Sequence, residues 1–235
     1  MRFIFTFFVG KTLLFLTRFF QKGGGTALPG LVANLLYPSF VQKMTKNLEK
    51  GSIIITGTNG KTTTSRILSS ILKEGGYHPV HNRTGSNLMR GIASTLIEKS
   101  DFLGRIKADV GIWEVDEAVL PFAVESLSPS VIVITNLFRD QLDRYGEIDR
   151  TKDSWEKVLL KTSPKTKVVL CADDPNLTYL GKKSKGKVFY FGIQDDSFAQ
   201  KSLSPSADCI QCPQCDHFLY FPSSFFKKMP YKKLT

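Results

Sequence analysis

The run Gly57-Thr58-Asn59-Gly60-Lys61-Thr62 carries the residue types that hold a polyphosphate. It follows a short β-branched apolar stretch, SIIIT at 52–56, and opens a segment of helical periodicity that closes at Gly75-Gly76. In a strand–loop–helix setting, backbone N–H groups and a helix N-terminus surround an anion, and glycines let the backbone approach it closely. Lys61 is then placed to meet the β- and γ-oxygens, and the Thr62 hydroxyl to ligate Mg2+. The full eight-residue phosphate-loop pattern has a glycine where Ile55 stands, so the assignment rests on context more than on the pattern. The competing reading is an ordinary glycine-rich turn.

Acidic residues cluster at two further strand ends. Glu114, Asp116 and Glu117 close the run GIWEV, and Asp140 and Asp143 follow TNLF. In an open α/β sheet, ligands sit beyond the carboxyl ends of the strands, where carboxylates hold Mg2+ directly or through water. Glu114 and Asp116 are read in that role, and Glu117 and Asp143 as solvated loop acids. Three of the four cysteines, Cys209, Cys212 and Cys215, crowd together, which points to metal rather than to disulfides in a reducing compartment. Cys171 stands apart at a strand end and reads as a buried thiol.

These groups need a frame to hold them. Strand-like runs at 52–56, 109–115, 131–135, 167–170 and 187–191 alternate with helical patterns such as 149–161. Strands separated by helices predict βαβ units and a doubly wound, mostly parallel α/β sheet. After Gly192 the periodicity weakens, marking a small insert or subdomain.

The amino terminus is of another kind. FIFTFFV at 3–9 lacks the length and cleavage site of a signal peptide, and Lys11 and Arg18 interrupt every window long enough to span a membrane. At 100° per residue, Phe5, Val9, Leu13, Leu16 and Phe20 share one face, with Lys11, Arg18 and Lys22 opposite, ahead of Gly23-Gly24-Gly25. Such a helix either packs its apolar face on its own domain or lies on an anionic bilayer. The 235 residues carry a net charge of +11, and residues 1–50 hold seven bases against the single acid Glu49. That balance suits phosphorylated ligands, nucleic acid or an anionic membrane. Nucleic acid is set aside, because the basic residues are not interleaved with aromatics in a recognisable binding motif.

GTNGKTTT (57–64), NRTGSNL (82–88), EVDEA (114–118), TNLFRDQLDRYGE (135–147), ADDPN (172–176) and CPQC (212–215) occur in order. Together they resemble the Mur ligase superfamily in its MurT branch, the synthetase subunits of lipid II isoglutaminyl synthases. Gln141 stands where other Mur ligases usually carry His, as in that branch. The resemblance implies a cytoplasmic enzyme at the inner face of the membrane, working in peptidoglycan synthesis. It would activate the D-glutamate α-carboxylate of the lipid II stem peptide as an acyl phosphate, using ATP and Mg2+. Ammonia from a GatD-like glutamine amidotransferase would then give D-isoglutamine.

By position, the resemblance implies catalytic roles for Lys61, Glu114 and Asp116. It implies nucleotide contacts from Gly57 to Thr63 (Thr63 included), and from Asn136, Arg139 and Asp140. Asn82, Arg83, Thr84 and Asn87 would line the substrate side, and Thr62 with Glu114 would hold Mg2+. A zinc ribbon is implied at Cys212 and Cys215, with Cys209 as a third ligand and His217 as a conceivable fourth, at partial occupancy. The expected organisation is a helical lead-in at 1–50, the central ATP-binding domain at 51–200 and a partial zinc ribbon at 201–235, with the carboxy-terminal Mur ligase domain absent. Two other readings stay open: a folylpolyglutamate synthase-like ligase, and a truncated, non-catalytic nucleotide-binding scaffold.

Overall fold

The computed structural model describes residues 2–20, 27–82, 87–138, 147–193, 212–215 and 217. The chain divides into two compact units, 1–133 and 134–235. The first unit runs through α1 (Arg2–Phe20), α2 (Leu28–Leu36), α3 (Phe40–Thr45), β1 (Ser52–Thr56), α4 (Lys61–Glu74), β2 (Pro79–His81), α5 (Met89–Lys99), β3 (Val110–Glu114) and α6 (Leu120–Leu127), and closes at the last residues of β4 (Val131–Ile134).

Its strands lie in the order β2-β3-β1-β4. β1 and β2 both run parallel to β3, with Ile55 level with Glu114 and His81 level with Ile112. The chain steps from β1 outward past β3 to β2, returns to β3, and then crosses to β4 on the far side. The order therefore reverses beside β1, the place where open α/β sheets bind ligands. All five residues of β3 are buried, which is why VGIWE reads as a continuous apolar strand. The Trp113 ring covers Gly111, where a Cβ would stand 2.6 Å from it, and the indole N–H donates to Ser52 Oγ at 3.1 Å.

One helical layer is unusually close-packed. α5 buries every residue from Gly91 to Ile97 against α1, α2, α3 and the sheet. The Gly30 N–H of α2 donates to Ser94 Oγ at 2.8 Å, and a Cβ at Gly30 would come within 1.9 Å of the Arg90 carbonyl oxygen. Only glycine fits so close an approach.

The face on which α1 packs differs from expectation. Its buried residues are Thr6, Phe7, Gly10 and Leu14, whereas Phe5, Leu16 and Phe20 are exposed and Val9 and Leu13 half-buried. A Cβ at Gly10 would lie 2.7 Å from Ile97 Cδ1, so the helix docks through a small residue. Two of the cations expected opposite the apolar face, Lys11 and Arg18, tie the helix down, and the third, Lys22, lies outside the described residues. Lys11 Nζ donates to the Ser100 carbonyl at 2.6 Å, and Arg18 pairs with Glu98 at 3.0 Å. Burial lowers the Lys11 pKa. The exclusion of a spanning length is also revised: α1 is long and apolar enough to cross a membrane by length and composition alone.

The second unit contains α7 (Glu147–Lys161), β5 (Lys167–Cys171), α8 (Pro175–Lys183) and β6 (Lys187–Phe191), with β5 and β6 parallel. The ADDPN segment has a structural use here. Asp174 caps α8 by accepting from the Asn176 and Leu177 N–H groups, Pro175 begins the helix, and the second Asp174 oxygen accepts from Leu137 N at 2.8 Å.

Candidate phosphate-binding site

The loop after β1 turns on two glycines with positive φ, Gly57 at 127° and Gly60 at 84°. Few side chains adopt those angles, and at Gly60 the angle alone requires glycine, since a Cβ would have open space around it. Gly60 caps α4 without a side-chain hydrogen bond. The first N–H groups of α4 therefore point outward with the positive end of the helix dipole, a setting for an anion.

Four side chains complete the site. Lys61 folds back over the loop, donating to the Gly57 carbonyl and, at 3.1 Å, to the Thr58 carbonyl. Its ammonium also pairs with Glu117 Oε1 at 3.1 Å. The Thr62 hydroxyl donates to Glu114 Oε1 at 2.8 Å, joining the start of α4 to the end of β3. A hydroxyl and a carboxylate oxygen at that spacing form the hard-oxygen donor set that Mg2+ takes, so these two residues fit the ion.

Behind Glu114, Asn82 braces the strand end. Asn82 Nδ2 donates to the Glu114 carbonyl at 2.8 Å, and the Glu114 N–H donates to Asn82 Oδ1 at 2.9 Å. The side chain thus mimics a peptide group and continues the β2–β3 ladder one step past His81. The Asp116 N–H donates to the Asn87 carbonyl at 3.0 Å, bringing the segment before α5 to the end of β3. The Asp116 carboxylate accepts from the Ala118 N–H at 3.1 Å and starts a 3-10 turn, Glu117–Val119.

The fold thus gathers Gly57, Thr58, Asn59, Gly60, Lys61, Thr62, Glu114, Asp116, Asn82 and Asn87 around the carboxyl ends of β1 and β3. Thr63 is exposed in the first turn of α4. Asn136 is half-buried in the second unit. Arg83, Thr84, Arg139, Asp140, Asp143 and Cys209 lie outside the described residues. Glu117 corrects the reading of it as a solvated loop acid: its side chain is 23% exposed and engaged with Lys61. No local spacing signals this contact, since the 3-10 turn Glu117–Val119 only begins at this residue and its partner lies far away in sequence.

The cysteines give a smaller result. Cys212–Cys215 forms a tight turn in which Cys215 N donates to the Cys212 carbonyl at 3.3 Å, and Cys212 N donates to the His217 carbonyl at 2.8 Å. The Gln214 N–H, then the Cys215 thiol, pulls the Cys212 pKa down. Among the described residues no group of three or more His, Cys, Asp or Glu could hold a metal ion. Cys171, half-buried at the end of β5, has its thiol pKa raised by burial.

The family described as Mur ligase middle domain matches residues 55–225. The chain is 33% identical over 199 residues to the lipid II isoglutaminyl synthase (glutamine-hydrolyzing) subunit MurT of Staphylococcus aureus, covering 84% of this chain and 43% of that protein. To the subunit of the same name from Streptococcus pneumoniae it is 33% identical over 210 residues, covering 89% and 45%. It therefore spans less than half the length of these relatives. Among solved structures, the MurF ligase of Thermotoga maritima in complex with ADP matches with a TM-score of 0.58 at 18% identity, over 68% of this chain and 36% of that one. A pseudomurein peptide ligase type C from Methanothermus fervidus matches with a TM-score of 0.53 at 24% identity, over 78% and 34%. These two likenesses bear on the fold, a mostly parallel α/β sheet.

Proposed function

Because this chain belongs to the Mur ligase family through its middle domain, we propose that it is the nucleotide-binding part of an ATP-dependent ligase of peptidoglycan synthesis, acting in the cytoplasm. The observation that carries this reading is the junction of Lys61, Thr62 and Glu114 at the carboxyl ends of β1 and β3. ATP enters with its phosphates over the N-terminus of α4. Phosphoryl transfer asks the protein mainly for positioning and for neutralisation of developing charge. Lys61 supplies a cation, the loop N–H groups supply dipoles, and Thr62 and Glu114 would hold Mg2+, which adds charge neutralisation at the phosphates.

The names of the relatives support a finer proposal. The carboxylate activated is the D-glutamate α-carboxylate of the lipid II stem peptide, taken to an acyl phosphate. Ammonia released from glutamine by a GatD-like partner subunit displaces the phosphate. By their match to the family, Asn82, Arg83, Thr84 and Asn87 would line the substrate side, Asp116 would act with Lys61 and Glu114 in catalysis, and Asn136, Arg139 and Asp140 would contact the nucleotide. In this proposal Cys212 and Cys215 would supply two of the thiolates of a zinc site.

The test is Mg-ATP binding by calorimetry, followed by glutamine-dependent amidation of lipid II by the full-length protein with its partner. Lys61→Ala is expected to abolish measurable ATP binding while circular dichroism stays unchanged. Undiminished affinity would refute the site. Tight ATP binding with no amidation by the complete assembly would favour the non-catalytic scaffold reading.

A further inference from the structure

The outward face of α1 is an apolar surface without a partner among the described residues. Ile4, Phe5, Phe8, Phe15, Phe19 and Phe20 are all exposed, Phe19 at 75%. At 100° per residue Ile4, Phe5, Phe8, Phe15 and Phe19 fall on the side opposite Thr6, Gly10 and Leu14, which face α2 and α5, and Phe20 lies to one side at the helix end. Phe102, 81% exposed, extends the surface beyond Lys11, whose ammonium lies 6.0 Å from its ring, and Leu103 is exposed next to it. Solvated single aromatics are common, but a continuous aromatic surface of this size marks an interaction site.

Its chemistry distinguishes a lipid from a protein partner. A protein interface offers directional polar groups around its apolar centre. Here the polar groups of α1 are already satisfied within the unit. The Thr12 hydroxyl, the one polar side chain amid the phenylalanines, donates back to the Phe8 carbonyl at 3.0 Å. The hydroxyls of Thr6 and Thr17 donate to the carbonyls of Arg2 and Leu14, and Arg2 Nε to the Leu36 carbonyl. Such a face suits hydrocarbon, which asks for no hydrogen bonds. Bases outnumber acids around it: α1 contains no acid and residues 1–50 hold seven bases against Glu49, while Glu98, paired with Arg18, and the exposed Asp101 stand at its border. Bases beside an apolar aromatic face match an anionic headgroup layer.

We infer that the Phe5–Phe8–Phe15–Phe19 face of α1 docks the protein on the surface of an anionic bilayer. The helix lies in the interface with its other side on α2 and α5. The docking needs neither ATP nor ligase substrate, so it stands or falls apart from the proposed activity.

The probe is sedimentation of the chain with vesicles of phosphatidylglycerol and phosphatidylcholine, against phosphatidylcholine alone, without nucleotide. Binding is expected on the anionic vesicles, weakening with added salt. Phe15→Ser with Phe19→Ser is expected to lower the partition coefficient by about tenfold or more, with the circular dichroism spectrum retained. Phe5→Ser with Phe8→Ser reports the same effect from the other end of the helix, should the first pair misfold. Failure of the folded chain to bind anionic vesicles, or equal binding by both variants, would overturn the inference. So would a soluble dimer that the substitutions dissolve, or vesicle-bound protein that resists alkaline carbonate as a spanning helix does.

Discussion

Replacing Asn82 by alanine isolates what holds Glu114 in place. The Asn82 side chain is 4% exposed and satisfies both backbone groups of Glu114, itself 5% exposed. The substitution strands one buried N–H and one buried carbonyl, and leaving such a group unpaired costs about 1–3 kcal/mol. Water entering the vacated space recovers part of this, so a net loss of about 2–4 kcal/mol is expected. With a urea slope of about 1–3 kcal/mol per molar, the unfolding midpoint should fall by roughly 1–2 M. The Glu114 carboxylate would also lose its fixed approach to Thr62, and ADP affinity in the presence of Mg2+ should drop with it. Asn82→Asp keeps the acceptor but loses the donor and adds a charge beside the Glu114 carbonyl, so it should be at least as damaging. An Asn82→Ala chain with an unchanged urea midpoint and unchanged ADP affinity, impaired only in stem-peptide binding, would refute this reasoning. The amide would then serve the substrate.

Glu117→Gln removes a carboxylate from Lys61 and from the approach of the phosphates. A partly exposed pair is worth about 0.2–1 kcal/mol, so ADP affinity measured by calorimetry should rise by roughly two- to fivefold, and a fall would mean that Glu117 orients Lys61. Asp109 accepts from the His78 N–H at 2.8 Å, and that bond, then the His78 ring, holds its pKa below the usual carboxylate value. Its contribution is fully present above the unfolded value near ~3.9 and is lost as pH falls through the lower folded value. Asp109→Asn should therefore lower the thermal midpoint at neutral pH, by an amount that shrinks below about pH 4. A gap constant across that range would show that the charge is irrelevant.

What was legible in the chain was local. The run SIIIT-GTNGKT announces β1, its loop and α4 within about twenty residues, because strand, glycine turn and helix start are each written in neighbours. Glu114 was legible for the same reason, as an acid at the end of an unbroken apolar strand. β2 was not, since three residues led by a proline give no period. Nor was α5, which is buried all round and so shows no polar face. The Lys61–Glu117 pair joins residues 56 apart, a distance over which spacing says nothing.

The same limit explains the first helix. Hydrophobic periodicity ranks faces by how apolar they are, and α1 is apolar almost all round, so the ranking picks Phe5, Val9, Leu13, Leu16 and Phe20 by a narrow margin. Packing ranks faces by how closely two backbones can approach. On that scale Gly10 against Ile97 outweighs a stripe of rings that would hold the helices apart, and Lys11 is long enough to reach the Ser100 carbonyl from the edge of the contact. Phe7 and Leu14 pack beside Gly10 in the joint, the other large side chains on the far side are left outside, and the surface proposed to meet lipid is a consequence of how the helix is fastened.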